Sequence, residues 1–223
     1  MSPSRSSKPS WGSGCDERAL TMDLLWVRHG EPERIAPGAG VPADPALTAR
    51  GREQADRLAA WLALEPVDVV LSSPQRRARE TAIPIARAHG LDVEIVHGLV
   101  EYDAQSDSYI PMEELRATND PHLAAMYEGR WEEFGAESTA TFRARVADTI
   151  DDVVANYPGR RVVAVCHGGV INVALALVLG LDRHLWFEPH YTSLSRVVAS
   201  RTGVRSVASV NERAHLDGRR DPR

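Results

Sequence analysis

Two histidines of the chain stand directly after apolar runs, where an imidazole side chain is well placed to do chemistry. Residues 24–27 lead into Arg28 and His29, and residues 162–166 lead into His167, with a glycine after each histidine. Runs of this length and composition are typical of buried parallel strands, and ligands bind at the carboxyl ends of such strands. A neutral His29 there can attack a phosphorus atom, while Arg28 can hold phosphate oxygens in a bidentate fork.

A cluster of arginines follows the next predicted strand, which spans residues 67–71. Arg76, Arg77 and Arg79 fall in the first two turns of the helix predicted after that strand. Positive charges at a helix N-terminus oppose the helix dipole, so three of them are unfavourable unless an anion binds there. For Arg76 and Arg79 we favour the alternative that they form a solvated surface, which leaves Arg77 as the candidate for binding a ligand.

A carboxylate follows the third predicted strand, at residues 91–96. Glu101 comes a few residues after this strand and is expected to lie near the carboxyl ends of the other strands. A carboxyl group in that position can donate and accept protons. Asp103 is close by in the sequence and is the alternative candidate for the same role.

Amphipathic helices alternate with these strands, which predicts one α/β domain. The predicted architecture is a three-layer α/β/α sandwich with a mainly parallel central sheet. Helices are expected to begin near Thr48, Ser73 and Ser138, whose hydroxyl groups can cap helix N-termini, and Pro84 is expected to kink or shorten the second of them. Two further strands are predicted near the C-terminus, at residues 194–200 and 204–210.

The segment at residues 105–135 lacks a clear period and is rich in aromatic and charged residues. We interpret it as a small helical insertion over the site, with one helix from Met112 and another near residues 122–132. Its aromatic side chains can belong either to the site or to ordinary packing.

Composition and charge restrict the classes of function. The net charge is −5 and no basic tract occurs, which argues against nucleic-acid binding and against an anionic membrane surface. The two cysteines, Cys15 and Cys166, lie in a polar tail and a predicted core strand, so a disulfide is not expected and a reducing compartment is favoured. Neither a membrane span nor a secretory signal is recognisable, so we expect a cytoplasmic protein.

Five motifs, taken in order, resemble the histidine phosphatase superfamily, the phosphoglycerate mutase-like enzymes. The motifs are Arg28-His29-Gly30-Glu31; Leu47-Thr48 with Gly51 and Gln54-Ala55; Ser72-Ser73-Pro74 with Arg77-Ala78 and Thr81-Ala82; Cys166-His167-Gly168-Gly169; and Asn211 with His215-Leu216. Each motif is weak alone, but their order is specific, and the resemblance covers Leu24 to Leu216. It implies a phosphomonoester hydrolase that acts on a small phosphorylated metabolite through a phosphohistidine intermediate.

The resemblance also implies a role for each candidate residue. His29 would be the nucleophile, and Glu101 would protonate the leaving oxygen and then help to deprotonate water. The groups implied to surround the phosphoryl oxygens are Arg28, Arg77, His167 and Gly168. Because basic side chains supply the positive charge, neither a metal nor another cofactor is expected.

Three regions of the chain are expected on this basis. Residues 1–21 are rich in Ser, Pro and Gly and would form a disordered N-terminal extension. Residues 22–216 would form the catalytic domain, with a lid at residues 105–135. Residues 217–223 would form a polar tail. Met22 directly precedes the first predicted strand and is an alternative start to Met1. The partner expected for the domain is a small-molecule phosphomonoester, with neither nucleic acid nor membrane; the oligomeric state is left open.

Two other functions stay open at this point. One is a phosphoglycerate mutase-type phosphotransferase, which returns the phosphoryl group to a second hydroxyl, and the other is a non-catalytic module that binds a phosphorylated ligand. Pro32 stands where the family usually has Thr or Ser, and Glu80 stands where glutamine is usual. These departures argue against close membership of the glycolytic mutases.

Selectivity among leaving groups has to come from segments around the mouth of the phosphate pocket. Two segments are expected to reach it, the loop at residues 32–40 and the insertion. Arg34 and Arg130 are candidates for binding a carboxylate or a second phosphate, and Tyr109 and Trp131 for stacking on an apolar or cyclic group. The alternative is that these side chains are surface charges and packing residues.

Overall fold

The computed structural model describes residues 21–38, 40–118, 120–200 and 202–217. The predicted N-terminal extension lies outside this part of the chain except for Thr21, and so do Cys15 and residues 218–223 of the predicted tail. Cys166 is a buried free thiol.

The described part of the chain alternates strands and helices in the predicted order. The strands are β1 (Thr21–Arg28), β2 (Val69–Ser72), β3 (Val93–Ile95), β4 (Arg161–Cys166), β5 (Leu194–Ser200) and β6 (Arg205–Glu212). The α-helices are α1 (Ala49–Leu62), α2 (Arg76–His89), α3 (Met112–Ala117), α4 (Pro121–Tyr127), α5 (Thr139–Asn156) and α6 (Gly168–Leu179). Short 3-10 helices span His97–Leu99 and Trp131–Phe134. Within these residues, no helix is both long enough and apolar enough to cross a membrane.

The strands form one sheet in the order β3-β2-β4-β1-β5-β6. The first four strands of the chain are mutually parallel, and β5 and β6 add an antiparallel edge. At the centre, β1 lies beside β4 with Arg28 opposite Cys166. The backbone N–H of His29 donates to the Cys166 carbonyl at 3.0 Å. The two strands that precede the histidines are therefore direct neighbours in the sheet.

Side chains on successive residues of β1 enter two separate cores, which makes the fold three layers deep. Leu25 and Val27 pack with residues of α1 and α2. Leu24 and Trp26 pack on the other face with residues of α5 and α6. Because both faces of the central strands are covered, the strands appear in the sequence as continuous apolar runs. The predicted fold class is confirmed.

Two of the three predicted helix caps are present. The hydroxyl of Thr48 accepts a hydrogen bond from the Gly51 N–H at 2.9 Å, and the hydroxyl of Ser138 accepts one from the Thr141 N–H at 3.1 Å. The prediction for Ser73 is wrong, because α2 begins only at Arg76 and the Ser73 hydroxyl contacts a histidine of the site instead.

Two further predictions of element boundaries differ from the structure. Pro84 does not shorten α2, which continues to His89, because its neighbours Ala82 and Ile85 are buried in the core and offset the lost backbone hydrogen bond. The alternative, a kink at Pro84, stays a prediction. The third strand is shorter than predicted and mostly exposed, since β3 lies at the edge of the sheet.

The insertion contains the two predicted helices, α3 and α4, although α4 ends at Tyr127 rather than near residue 132. It is joined to the loop that follows β1 by a short antiparallel bridge. In this bridge the Ile35 N–H donates to the Tyr109 carbonyl at 3.0 Å, and the Tyr109 N–H donates to the Ile35 carbonyl at 2.9 Å. The loop and the insertion therefore meet over the carboxyl end of β1, as the sequence predicts.

Gly51, in the first turn of α1, leaves no space for a side chain. A Cβ atom there would lie 2.1 Å from the carbonyl oxygen of Glu31, in the loop that follows His29. Because backbone atoms would have to move, we expect Gly51→Ala to lower the free energy of unfolding by about 1–3 kcal/mol, the usual cost of overpacking. Urea unfolding measures this change. Arg50→Ala, at an exposed position of the same turn, is the control, and equal stability of the two variants would contradict the prediction.

Candidate active site

Two imidazole rings lie together at the carboxyl ends of β1 and β4. The ring centroids of His29 and His167 are 5.1 Å apart, and the two residues are 2% and 0% exposed. This separation allows one phosphoryl group to contact both rings. The parallel pairing of the two strands, set by their apolar residues, therefore assembles the two motifs into one site.

The loop after β1 holds His29 in place through close backbone contacts. The Gly30 N–H donates to the Thr81 hydroxyl on α2 at 2.9 Å. On the other side, a Cβ atom at Gly30 would lie 2.6 Å from the carbonyl oxygen of Gly51 on α1. Only glycine fits between the two helices, so this residue fixes the direction in which the chain leaves the strand.

Hydrogen bonding determines which nitrogen of His29 carries the proton. Nδ1 lies 2.8 Å from the Gly30 carbonyl oxygen, which can only accept, so Nδ1 carries the hydrogen. Burial, together with the positive charges of Arg77 and Arg28, holds the pKa of His29 well below its usual value. The ring is therefore neutral near pH 7, with a lone pair on Nε2 that can act as a nucleophile.

The second imidazole has the opposite arrangement. Nε2 of His167 lies 2.9 Å from the Ser73 hydroxyl oxygen, which also accepts a hydrogen bond from the Gln75 N–H at 3.3 Å. Burial and the charge of Arg77 hold the pKa of His167 well below its usual value, so this ring is also neutral. If Ser73 donates to Nε2, the proton of His167 resides on Nδ1, and Nδ1 has no hydrogen-bond partner among the described residues.

Two buried guanidinium groups stand beside the histidines with unused hydrogen-bond donors. Arg77 is 1% exposed, and its Cζ lies 4.7 Å from the ring centroid of Tyr109. Arg28 donates from Nη1 to the Pro189 carbonyl at 2.6 Å and lies over the Tyr191 ring. In the described part of the chain, Nε and Nη1 of Arg77 and Nε of Arg28 have no acceptor. Buried donors of this kind are costly, and an anion that accepts from them removes the cost.

A carboxyl group completes the cluster. Oε2 of Glu101 accepts a hydrogen bond from the Gly169 N–H at 2.8 Å, and the Glu101 backbone N–H donates to the Gln75 side chain at 3.0 Å. Burial, and then the negative charge of Asp103, raise the pKa of Glu101 to about 7, although the Gly169 N–H and Arg77 act in the opposite direction. Glu101 can therefore both give and take a proton near neutral pH.

The start of α6 supplies the backbone of the site. Gly168 is the first residue of this helix, and a Cβ atom on it would lie 3.9 Å from Nε of Arg28. A Cβ atom on Gly169 would lie 2.4 Å from Oε1 of Glu101. The distance at Gly168 is an ordinary contact, so only Gly169 is required to be glycine for the helix N-terminus to approach the carboxyl group closely.

Most of these groups line a cavity of about 520 Å³. The predicted residues that line it are Arg28, His29, Arg77, Glu101, Tyr109 and Gly168. His167 is not part of this lining, because it is fully buried against the ring of His29. Its contact with a phosphoryl group thus stays a prediction.

The two arginines considered for selectivity lie elsewhere. Arg34 pairs with Glu114 at 3.0 Å and lines a neighbouring cavity of about 670 Å³. Arg130 is half exposed and pairs with Glu128 and Glu133 on the surface of the insertion. Neither arginine lines the cavity that contains His29.

The two aromatic candidates differ from each other. Tyr109 lines the cavity, and its ring covers Arg77. Trp131 is 0% exposed and does not line the cavity, contrary to the expectation that its ring would stack on a substrate. Its Nε1–H donates to the Met126 carbonyl at 2.8 Å, and its ring packs on Tyr102 at a centroid distance of 4.1 Å. Trp131 is a core residue behind the cavity wall.

Three residues of the site were not identified from the sequence. Ser73 contacts His167, Gln75 holds the backbone of Glu101, and Tyr191 covers Arg28. Ser73 and Gln75 flank Pro74 at a strand–helix junction. Their position after β2, at the carboxyl end of the strand, could have identified them as site residues. Tyr191 reaches the site from far along the chain, and nothing in its local sequence indicates this.

Proteins similar to this chain point to one family. The model of the histidine phosphatase superfamily (branch 1) matches residues 24–212. A bifunctional protein of Mycobacterium tuberculosis is 30% identical over 94% of this chain, which spans only 58% of that relative's length. Phosphoserine phosphatase 1 of Hydrogenobacter thermophilus is 32% identical and covers 72% of this chain and 78% of its own.

A solved structure agrees with this match. Mycobacterial glucosyl-3-phosphoglycerate phosphatase in complex with VO3 superposes with a TM-score of 0.69 and 25% identity, over 86% of this chain and 99% of that one. The family model covers most of the chain and includes both strand-terminal histidines, Arg28, Arg77 and Glu101. This chain belongs to the histidine phosphatase superfamily.

Proposed function

We propose that this protein hydrolyses a small phosphate monoester through a phosphohistidine intermediate. The observation that carries the proposal is a buried, neutral His29 with a free Nε2 lone pair beside two guanidinium groups that have unused donors. A nucleophile, positive charge and a proton donor of suitable pKa then meet in one cavity. Phosphoryl transfer requires these three things and little else from the protein.

In the first step, Nε2 of His29 attacks phosphorus and forms an N–P bond while the P–O ester bond breaks. Glu101 gives its proton to the leaving oxygen, which departs as an alcohol. Arg28 and Arg77 stabilise the charge on the three equatorial oxygens during transfer. Their unpaired donors support this role, because the transferring group supplies the missing acceptors.

In the second step, water attacks the phosphohistidine and the N–P bond breaks. The Glu101 carboxylate accepts the proton that water loses, so phosphate is released and Glu101 is protonated again for the next cycle. One ester and one water molecule become one alcohol and one phosphate. The insertion serves as the lid in this proposal, since its Tyr109 lines the cavity and bonds to the loop after His29.

A mutase-type phosphotransferase shares the first step and differs only in the acceptor, which is a hydroxyl of the product rather than water. Two of the named relatives are phosphatases, and this favours water as the acceptor. A module that only binds phosphorylated ligands needs neither a free imidazole lone pair nor a carboxyl group with a pKa near 7.

Replacement of the nucleophile tests the proposal directly. We expect His29→Ala to lower kcat/KM for p-nitrophenyl phosphate by roughly 10³-fold or more, because the covalent step is lost. Rapid acid quench with a labelled substrate should trap a phosphoenzyme in the unsubstituted protein and none in the variant. His97→Ala, at an exposed position, is the control. A phosphoenzyme that persists in His29→Ala would refute the proposal.

The proton donor gives a second prediction. Its acid form is lost as the pH rises through the pKa of about 7, so kcat/KM for an alkyl phosphate should fall above that pH. Asp103→Asn removes a negative charge that raises the pKa of Glu101, and should therefore move this fall to lower pH. Glu101→Gln should remove this fall in kcat/KM.

The measurement is the pH profile of kcat/KM, and ionisation of the substrate is common to all variants. Asp56→Asn, which removes an exposed charge on α1, should leave the profile where it is. A profile of Asp103→Asn that shifts to higher pH would contradict the assignment.

Ser73 is a positioning residue in this proposal. Its buried hydroxyl has one acceptor among the described residues, Nε2 of His167, and so holds the ring in the tautomer with hydrogen on Nδ1. That N–H can donate to a phosphoryl oxygen, whereas a bare nitrogen would repel it. We expect Ser73→Ala to lower kcat by about tenfold, which equals about 1.4 kcal/mol.

The ¹⁵N shifts of the His167 ring report the tautomer and separate positioning from simple loss of stability. The Nδ1–H form should dominate in the unsubstituted protein and in Ser73→Thr, and decline in Ser73→Ala. Ser72→Ala is the matched control, since the neighbouring buried serine bonds to the Ser73 carbonyl instead. An unchanged tautomer in Ser73→Ala would rule out this role.

A further inference from the structure

We infer that the leaving group of the substrate has an apolar body and carries no negative charge. The inference rests on the proposed function, because it concerns the same cavity, and it names the class of phosphate ester that the cavity selects. The size, the wall chemistry and the charge of the cavity each support it.

The cavity is far larger than a phosphate group needs. Its volume of about 520 Å³ lies in the range of pockets that hold drug-sized ligands. Arg28, His29, Arg77 and Glu101 are only four of the residues that line it, and most of the others belong to the insertion and to residues 185–189. A leaving group of considerable size therefore fits beside the phosphate.

Much of the cavity lining is apolar. The side chains that form this apolar wall are Ile110, Met112, Leu115, Met126, Leu185 and Phe187. The wall is also held in place, because Asn172 accepts a hydrogen bond from the Phe187 N–H at 3.2 Å and donates to its carbonyl at 3.0 Å. A leaving group with an apolar body gains from removal of this surface from water, and a fixed wall lowers the entropic cost of binding.

The other charged groups of the lining do not suit an anion. Apart from the groups assigned to the phosphate, the described lining contains the carboxylates of Asp107 and Glu188 but only one guanidinium, that of Arg116. Arg116 already forms an ion pair with Glu188 and donates to the Tyr127 hydroxyl at 2.5 Å. A carboxylate or second phosphate on the leaving group would meet a region with excess negative charge, which disfavours binding.

The two arginines that the sequence suggested for binding a carboxylate or a second phosphate lie outside this cavity. Arg34 belongs to the neighbouring cavity and pairs with Glu114, while Arg130 pairs with two glutamates at the surface. Neither reaches the apolar wall. Beyond the two arginines assigned to the transferred phosphate, the described lining therefore offers only Arg116, which is already paired with Glu188.

A matched series of esters tests the inference. Benzyl phosphate, 4-(aminomethyl)benzyl phosphate and 4-carboxybenzyl phosphate share one body and a leaving oxygen insulated by a CH2 group, and differ in charge. We expect kcat/KM for the first two to exceed that for the carboxylate by at least about tenfold, since like charges meet only in the last. 3-Phosphoglycerate, small and anionic, should also be poor. Equal values, or a preference for the carboxylate, would overturn the inference.

Variants of the cavity sharpen this test. Asp107→Asn removes one negative charge. It should therefore lower the ratio of kcat/KM for benzyl phosphate to kcat/KM for 4-carboxybenzyl phosphate. Phe187→Ala should raise KM for benzyl phosphate more than for glycerol 2-phosphate, because only benzyl phosphate contacts the apolar wall. Asp56→Asn removes a charge of the same sign outside the cavity and should leave the ratio as it is.

Binding measurements separate this inference from the proposed function. Benzylphosphonate and 4-carboxybenzylphosphonate cannot be hydrolysed, so calorimetry compares their affinities without turnover. Tighter binding of benzylphosphonate with no hydrolysis of any ester would refute the proposed function and leave the selectivity intact. Hydrolysis of all esters with equal phosphonate affinities would refute the selectivity alone.

Discussion

The parallel pairing of β1 with β4 is the constraint on which the site depends. The register of this pairing places Arg28 opposite Cys166. Both strands therefore end at the same level of the sheet, and the histidines that follow them meet. A shift by one residue would turn every side chain of β1 to the other face and exchange the two cores. The packing that buries Leu24 on one face of the sheet and Leu25 on the other thus fixes the register and, with it, the positions of the imidazoles.

The site brings together groups that are costly to bury singly. Two guanidinium groups lie beside two imidazoles, and burial, reinforced by their positive charges, holds the pKa of each imidazole well below its usual value. A carboxyl group close to them has a raised pKa in spite of the positive charge nearby, because burial dominates. Opposite protonation behaviour at His29 and Glu101 thus has one common cause, the loss of water around both residues.

Local sequence patterns predicted the strands, most of the helices and the main residues of the site. An apolar run before His29 and another before His167 were sufficient to predict the two strands and to place both histidines at the carboxyl ends of strands in a mainly parallel sheet. Tertiary contacts decided the rest. Ser73 has the composition and position of a helix cap, yet its hydroxyl is used by a residue 94 positions away. The surroundings of Trp131 gave no sign of whether its ring would line a cavity or fill a core.

The buried position of Trp131 affects how this fold can diversify. The tryptophan ties the insertion to the main core through Tyr102 and Phe142. Tyr102 also lines the cavity, and so does Met126, whose carbonyl accepts a hydrogen bond from the Trp131 indole. The wall of the cavity and the anchor of the insertion therefore share residues. A substitution at a shared position alters the cavity and the stability of the insertion together, so a lineage explores new ligands more easily through lining residues that Trp131 does not contact.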